Sequence, residues 1–171
     1  RNDDKDEASS TNADLFTVST SGGPARKFGG APGFDGLPSY SPDGSMIAYH
    51  AQMRAGFEAD RFRLMVYDRK TGLTRNLTET FDRSVDEIAW APDSKTIYFT
   101  AGDGPQNPLF ALPVAGGAPR KVADGISWNA IYSTRDLLRE IPGRLLERGG
   151  SVPAGEVLEM VGMLDRANGY I

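Results

Sequence analysis

The chain has 171 residues, 39% of them hydrophobic and 25% charged, the composition of a soluble globular protein with enough length for one ordinary core or two small domains. A formal net charge of −4 gives no general attraction to nucleic acid or anionic lipid, and neither is expected as a partner. The absence of cysteine excludes disulfides and thiolate metal sites, and no apolar run approaches the ~20 residues needed to span a bilayer.

Residues 1–13 are polar and are expected to be exposed or disordered. The opening, Arg1-Asn-Asp-Asp-Lys-Asp-Glu7, does not read as a secretory leader. Asp3, Asp4, Asp6 and Glu7 lack the ordered spacing and turn glycine of a calcium loop, so they read as a solvated charge run and no metal is expected. Leu15 to Val18 is predicted as a strand. Ser21-Gly-Gly-Pro24 is a turn, and Ala25 to Phe28 returns from it.

A longer unit follows. Leu37 to Ser41 is a short strand and Pro42-Asp43-Gly44 a tight turn. Proline presets φ at the first corner, aspartate can bond its own backbone and glycine accepts positive φ. Met46 to Ala51 is the second strand, residues 52–60 a loop, Arg61 to Asp68 the third strand and Leu73 to Leu77 the fourth. The plan then repeats in shorter form, with strands over Asp86 to Ala91, Thr96 to Thr100, Pro108 to Pro113 and Pro119 to Ala123. Leu64 to Tyr67 and Ile97 to Phe99 are apolar at consecutive positions, which suits sheets covered on both faces.

The repetition is the strongest signal. Ser41-Pro-Asp-Gly44 and Ala91-Pro-Asp-Ser94 stand 50 residues apart. Leu15, Leu64 and Leu109 each open a strand followed by a glycine-containing turn and a basic residue, Arg26, Arg75 and Arg120. Several short strands per copy at this period mark propeller blades. The three arginines read as outer-strand surface positions rather than a nucleic-acid stripe. The expected fold is mainly β: a partial β-propeller of about two full four-stranded blades plus a half blade, over residues 1–125, with blades at about 1–28, 37–78 and 86–123. A propeller needs about 4–8 blades to close. The chain is therefore expected to be part of something larger, and to self-associate through open blade faces when alone.

After about Ile126 the pattern becomes helical. Leu137, Leu138, Ile141, Leu145 and Leu146 lie at helical spacing, interrupted by Pro142-Gly143, and Val157, Leu158, Val161 and Leu164 line a second segment after Pro153. Residues 126–171 are predicted as a C-terminal α-helical hairpin of no recognised family.

Pro38-Ser-Tyr-Ser-Pro-Asp-Gly44 and Ile88-Ala-Trp-Ala-Pro-Asp-Ser94 resemble the blade motif of the prolyl oligopeptidase family of serine peptidases. Residues 52–61, with the following Leu64-Met-Val-Tyr-Asp-Arg-Lys-Thr-Gly72, are most similar to its bacterial dipeptidyl and acylaminoacyl peptidase branch. The resemblance covers about residues 1–125. It implies a propeller seated over an α/β-hydrolase domain, gating or orienting peptide substrates by its tunnel and edge loops. The compartment, bacterial periplasm or cytoplasm, stays open. The periplasmic propeller of the Tol–Pal system shares the blade motif, so a stand-alone interaction module is the alternative.

No Gly-x-Ser-x-Gly elbow stands in the chain, and Gly149-Gly-Ser-Val-Pro153 puts proline where the second glycine belongs. No catalytic residue and no cofactor is expected. The best candidate for substrate binding is the loop carrying Arg54, Phe57, Glu58, Asp60 and Arg61. Glu58 could pair with a peptide ammonium and an arginine with its carboxylate; the competing reading is an internally salt-bridged loop. His50, the one histidine, has no second histidine or cysteine to join it and reads as structural. Tyr40 and Trp90 are expected to pack between blades, while Trp128 could stack on a ligand. Asn76-Leu-Thr78 matches a glycosylation acceptor but falls on a predicted strand.

Overall fold

The computed structural model of the chain describes residues 11–102 and 107–123. The helical hairpin expected over 126–171, the acidic run at residues 3–7 and Trp128 all lie outside them. Among the described residues ten strands follow in chain order: β1 (Leu15–Thr17), β2 (Arg26–Phe28), β3 (Asp35–Tyr40), β4 (Met46–Ala51), β5 (Arg63–Asp68), β6 (Thr74–Asn76), β7 (Ile88–Trp90), β8 (Thr96–Thr100), β9 (Leu109–Pro113) and β10 (Arg120–Ala123). They form antiparallel sheets in strictly sequential order. β1 pairs with β2, β3 to β6 make a four-stranded meander, and β7 to β10 make another. Among the described residues no helix is long and apolar enough to cross a membrane.

The chain divides into two compact units, the first ending at Ser84 and the second beginning at Val85. In the first, β4 is central and buried from Ile47 to Ala51, and Leu64, Met65 and Val66 of β5 are buried beside it. Consecutive burial means that both faces of the sheet are covered, as the apolar runs predict. On one face Ile47, Tyr49, Ala51 and Met65 pack against Phe28 of β2. The Phe28 ring meets Tyr49 edge-on at 5.9 Å and Tyr67 in a tilted contact at 5.0 Å. The two-stranded sheet is thus packed on the four-stranded one as neighbouring blades would be. On the other face His50 meets Phe62 edge-on at 5.8 Å, and Phe62 meets Phe34 at the same distance. His50 is buried there, in keeping with a structural role.

The second unit repeats the plan. Ile97, Tyr98, Phe99 and the run from Leu109 to Leu112 are buried, and Phe99 stacks on Phe110 at 5.4 Å.

The two repeat turns fold alike. Gly44 N–H donates to Ser41 O at 2.8 Å and Ser94 N–H to Ala91 O at 3.1 Å. Asp43 Oδ1 accepts from Ser45 N–H at 3.0 Å and Asp93 Oδ1 from Lys95 N–H at 2.8 Å. The fourth position is left-handed in both, with φ of 70° at Gly44 and 57° at Ser94. Glycine takes that conformation freely, whereas serine there costs about 1 kcal/mol.

Two details depart from the sequence reading. The first strand of the meander begins at Asp35, and its ladder shifts register between Gly36 and Ser39. Leu37 sits in that bulge at φ 51°, immediately before Pro38, where an extended backbone is the rule. The Phe34 ring lies over the bare Cα of the glycine before it, and a methyl on Gly36 would force that ring to move. Tyr40, expected to be packed, is 55% exposed. β3 is an edge strand, and the Tyr40 ring is covered by the Arg69 guanidinium at 5.2 Å rather than by a neighbouring sheet. Trp90 is buried as expected.

The Phe28 contacts make a prediction. Phe28→Ala removes the aromatic that joins the two sheets of the first unit and leaves a cavity. Unfolding in urea should show a loss of about 3 kcal/mol, with an unchanged slope.

Candidate functional site

The loop between β4 and β5 is built from its base outward. Gln52, buried where β4 ends, is a four-way clamp. Its N–H donates to Phe34 O at 2.8 Å and its carbonyl accepts from Gly33 N–H at 3.1 Å. Its side-chain amide donates to Asp60 O at 2.7 Å and Glu58 O at 3.1 Å. One residue therefore ties both limbs of the loop to the segment ahead of β3. Gly33 must be bare, since a methyl there would stand 2.8 Å from the Gln52 carbonyl.

Asp60 closes the loop from the other limb. Its Oδ2 accepts from Met53 N–H at 2.7 Å, Arg54 N–H at 3.1 Å and the Arg63 guanidinium at 3.2 Å. Burial works to raise this carboxyl, but the donors from Met53, Arg63 and Arg54 together outweigh it and hold it below the usual carboxylate range. Arg61 faces the other way. Its guanidinium donates to Thr78 O at 3.2 Å, to Glu79 O at 2.6 Å and to Phe81 O, capping the carbonyls of the turn beyond β6. Phe62 N–H bonds Ser84 Oγ at 3.0 Å in the same region.

The tip is different. Residues 54–59 are exposed, with Gly56 at φ 70° turning the chain. Arg54 lies over the Phe57 ring at 5.5 Å. Of the four charged residues singled out in the sequence, Arg54 and Glu58 are thus presented at the surface, while Asp60 and Arg61 are engaged in the loop's own structure. The tip can offer a carboxylate, a guanidinium and an aromatic face to a charged, flexible ligand such as a peptide end.

Sequence reasoning missed Gln52, whose signal was weak: a polar residue directly after a buried strand, at the start of a charged loop. The Asn76-Leu-Thr78 triplet is used internally. Asn76 Oδ1 accepts from Thr78 N–H at 3.0 Å, its amide donates to the Glu79 carboxylate, and the buried Thr78 hydroxyl accepts from Leu64 N–H at 2.8 Å. The recurring arginines stand on the last strand of each sheet, β2, β6 and β10.

The chain is similar to known proteins in sequence and in fold. Dipeptidyl-peptidase 5 of Porphyromonas gingivalis is 38% identical over 128 residues, which is 74% of this chain and 19% of that protein. Dipeptidyl-peptidase 5 of Aspergillus fumigatus is 31% identical over 121 residues, 68% of this chain and 17% of that protein. The chain thus spans about a fifth of the length of the curated relatives it matches. No family model matches. Among solved structures, TolB from Acinetobacter baumannii is similar with a TM-score of 0.53 and 19% identity, over 68% of this chain and 28% of that one. At that identity the likeness speaks for the propeller fold alone.

The Asp60 hydrogen bonds set a pH dependence. Its folded carboxyl titrates below the unfolded value of about 3.9, so its contribution is complete above that value and is lost as pH falls through the folded one. Asp60→Ala should lower stability by about 2 kcal/mol at neutral pH. The unfolding midpoints of variant and wild type should converge as pH is lowered below about 4; midpoints that stay parallel would contradict the anchoring role.

Proposed function

Residues up to about 125 belong to the propeller of the prolyl oligopeptidase family of serine peptidases, and from that premise we propose that the chain supplies non-catalytic blades that gate or orient peptides for a hydrolase domain. The observation that carries the proposal is the loop just described. Its base is fixed by Gln52, Asp60 and Arg61, and its tip holds Arg54, Phe57 and Glu58 in solvent. A rigid base under an exposed, charged tip suits a contact that must be placed reproducibly against a passing ligand. In this reading Glu58 receives the ammonium of a peptide and Arg54 its carboxylate or backbone carbonyls. Asp60 and Arg61 position the tip. The chain itself carries no nucleophile elbow, so bond cleavage belongs to the hydrolase domain.

The purified chain should hydrolyse no dipeptidyl anilide. A fluorescent peptide with a free amino end should bind weakly, and Glu58→Gln should weaken it about three- to fivefold, the size expected for an exposed ion pair. The same peptide, N-acetylated, should lose the same factor with wild type and gain no further loss with the variant. Equal binding of free and acetylated peptides would remove Glu58 from the proposal, and turnover by the chain alone would end its non-catalytic part. Capture of a folded protein with no affinity for short peptides would favour instead a stand-alone interaction module.

The blade faces carry a second expectation. β4 and β8 are enclosed, whereas β1 is half-buried and β2 is exposed at Arg26 and Lys27; association through this less covered two-stranded blade should make the sedimentation coefficient of the isolated chain rise with concentration. A monomer at every concentration tested would count against open blade faces.

A further inference from the structure

A buried carboxylate outside the loop lies where the two-stranded sheet meets the four-stranded one. Asp35 opens β3 and is 1% exposed. Its N–H donates to Ala13 O at 2.7 Å, and its Oδ2 accepts from Gly30 N–H at 2.8 Å and Ala31 N–H at 3.2 Å. The same residue therefore holds both the chain entering β1 and the loop leaving β2. Packing around it is close. Gly29 is at φ 82°, and a methyl there would stand 2.7 Å from Asp35 Oδ2 and 3.2 Å from the Tyr49 hydroxyl. Asp35 Oδ1, by contrast, is buried and receives no hydrogen bond among the described residues.

The charged and titratable groups facing Asp35 come from each element packed around it. Asp14, ahead of β1, is ion-paired at 2.7 Å with Lys27 of β2. Tyr49 of β4 is hydrogen-bonded to Thr74 of β6. Lys27 attracts a charge on Asp35 but already serves Asp14, which repels it. A carboxylate buried with one oxygen lacking a donor is penalised. The neutral acid in the same place carries no charge, and its Oδ2 still accepts from both backbone N–H groups.

We propose that Asp35 is a proton-operated latch, in which proton uptake tightens the junction between the two-stranded and four-stranded sheets and proton loss loosens it. Burial, helped by Asp14 and opposed by the Gly30 and Ala31 N–H bonds and Lys27, places its carboxyl above the ordinary aspartate value. The Tyr49 hydroxyl is pushed up to about 12 by burial and by Asp35, so it stays neutral while Asp35 titrates. With the folded value above the unfolded one, the folded chain holds more protons between the two. Junction stability is then complete below about pH 3.9 and falls as pH rises through the folded value.

The test uses the full chain with ¹³C-carboxyl aspartate, the Asp35 resonance being assigned through bonds to its backbone. Its titration midpoint should lie above about 3.9. Amide-exchange protection at Gly30 and Ala31, corrected for the intrinsic rate, should fall by up to about tenfold per pH unit between about pH 3.9 and that midpoint, and level off above it. Protection in β9 should not follow it. Asp35→Asn should abolish the dependence at Gly30 and Ala31. Should that variant fail to fold, Asp14→Asn serves in its place and should lower the Asp35 midpoint. A wild-type midpoint at or below about 3.9, protection at Gly30 and Ala31 that ignores pH, or a midpoint unmoved in Asp14→Asn would each overturn the proposal.

Discussion

Burial of the central strands on both faces governs what the rest of the molecule can do. Ile47 to Ala51 in β4 and Ile97 to Thr100 in β8 are enclosed without a break. A sheet in that condition has no face left on which to build a ligand site. Recognition must move to the loops that leave the sheet and to the edge strands. The apolar runs that make the sheets stable are thus also what makes their connections the bearers of function.

Within the connection from β4 to β5, charge serves two ends. Asp60 and Arg61 bond backbone groups of the loop and of the turn past β6, the bonds to Met53, Arg54 and Thr78 being half-buried. Arg54 and Glu58 satisfy nothing of the kind and remain in solvent. The anchors reach in opposite directions, Asp60 to the first limb of the loop and Arg61 to the turn past β6. The tip is consequently coupled to the turn beyond the sheet's last strand as well as to its own stem.

Much of this architecture was legible in the residues. Met46 to Ala51 and Thr96 to Thr100 were readable as strands to the residue, because turn signals bracket them and their side chains, His50 apart, are apolar or β-branched. The other strands differed by a few residues at their ends, where hydrogen bonding rather than side-chain pattern decides. The bulge at Leu37 was not legible: proline at 38 argues for an extended residue before it, whereas the ladder shifts register there and Leu37 takes a positive φ. The loop was singled out by its charge, but which charges point inward depends on backbone groups brought close by folding. Sequence spacing carries no record of that. Asp35 escaped notice for the same reason, since its partners at 30 and 31 are backbone amides. The exposure of Tyr40 turned on β3 being an edge strand with Arg69 opposite, again a fact of sheet order.

The bare Cα of Gly29 has a consequence for comparing relatives. With no room for even a methyl beside Asp35 and Tyr49, and a positive φ besides, positions 29, 35 and 49 form a steric triplet. A homologue bearing a side chain at 29 has to carry a smaller, non-acidic residue at 35 or to have moved or lost the phenol at 49. Substitutions at these three sites should accordingly be inherited together, which gives a way to follow this blade junction through lineages where overall identity has faded.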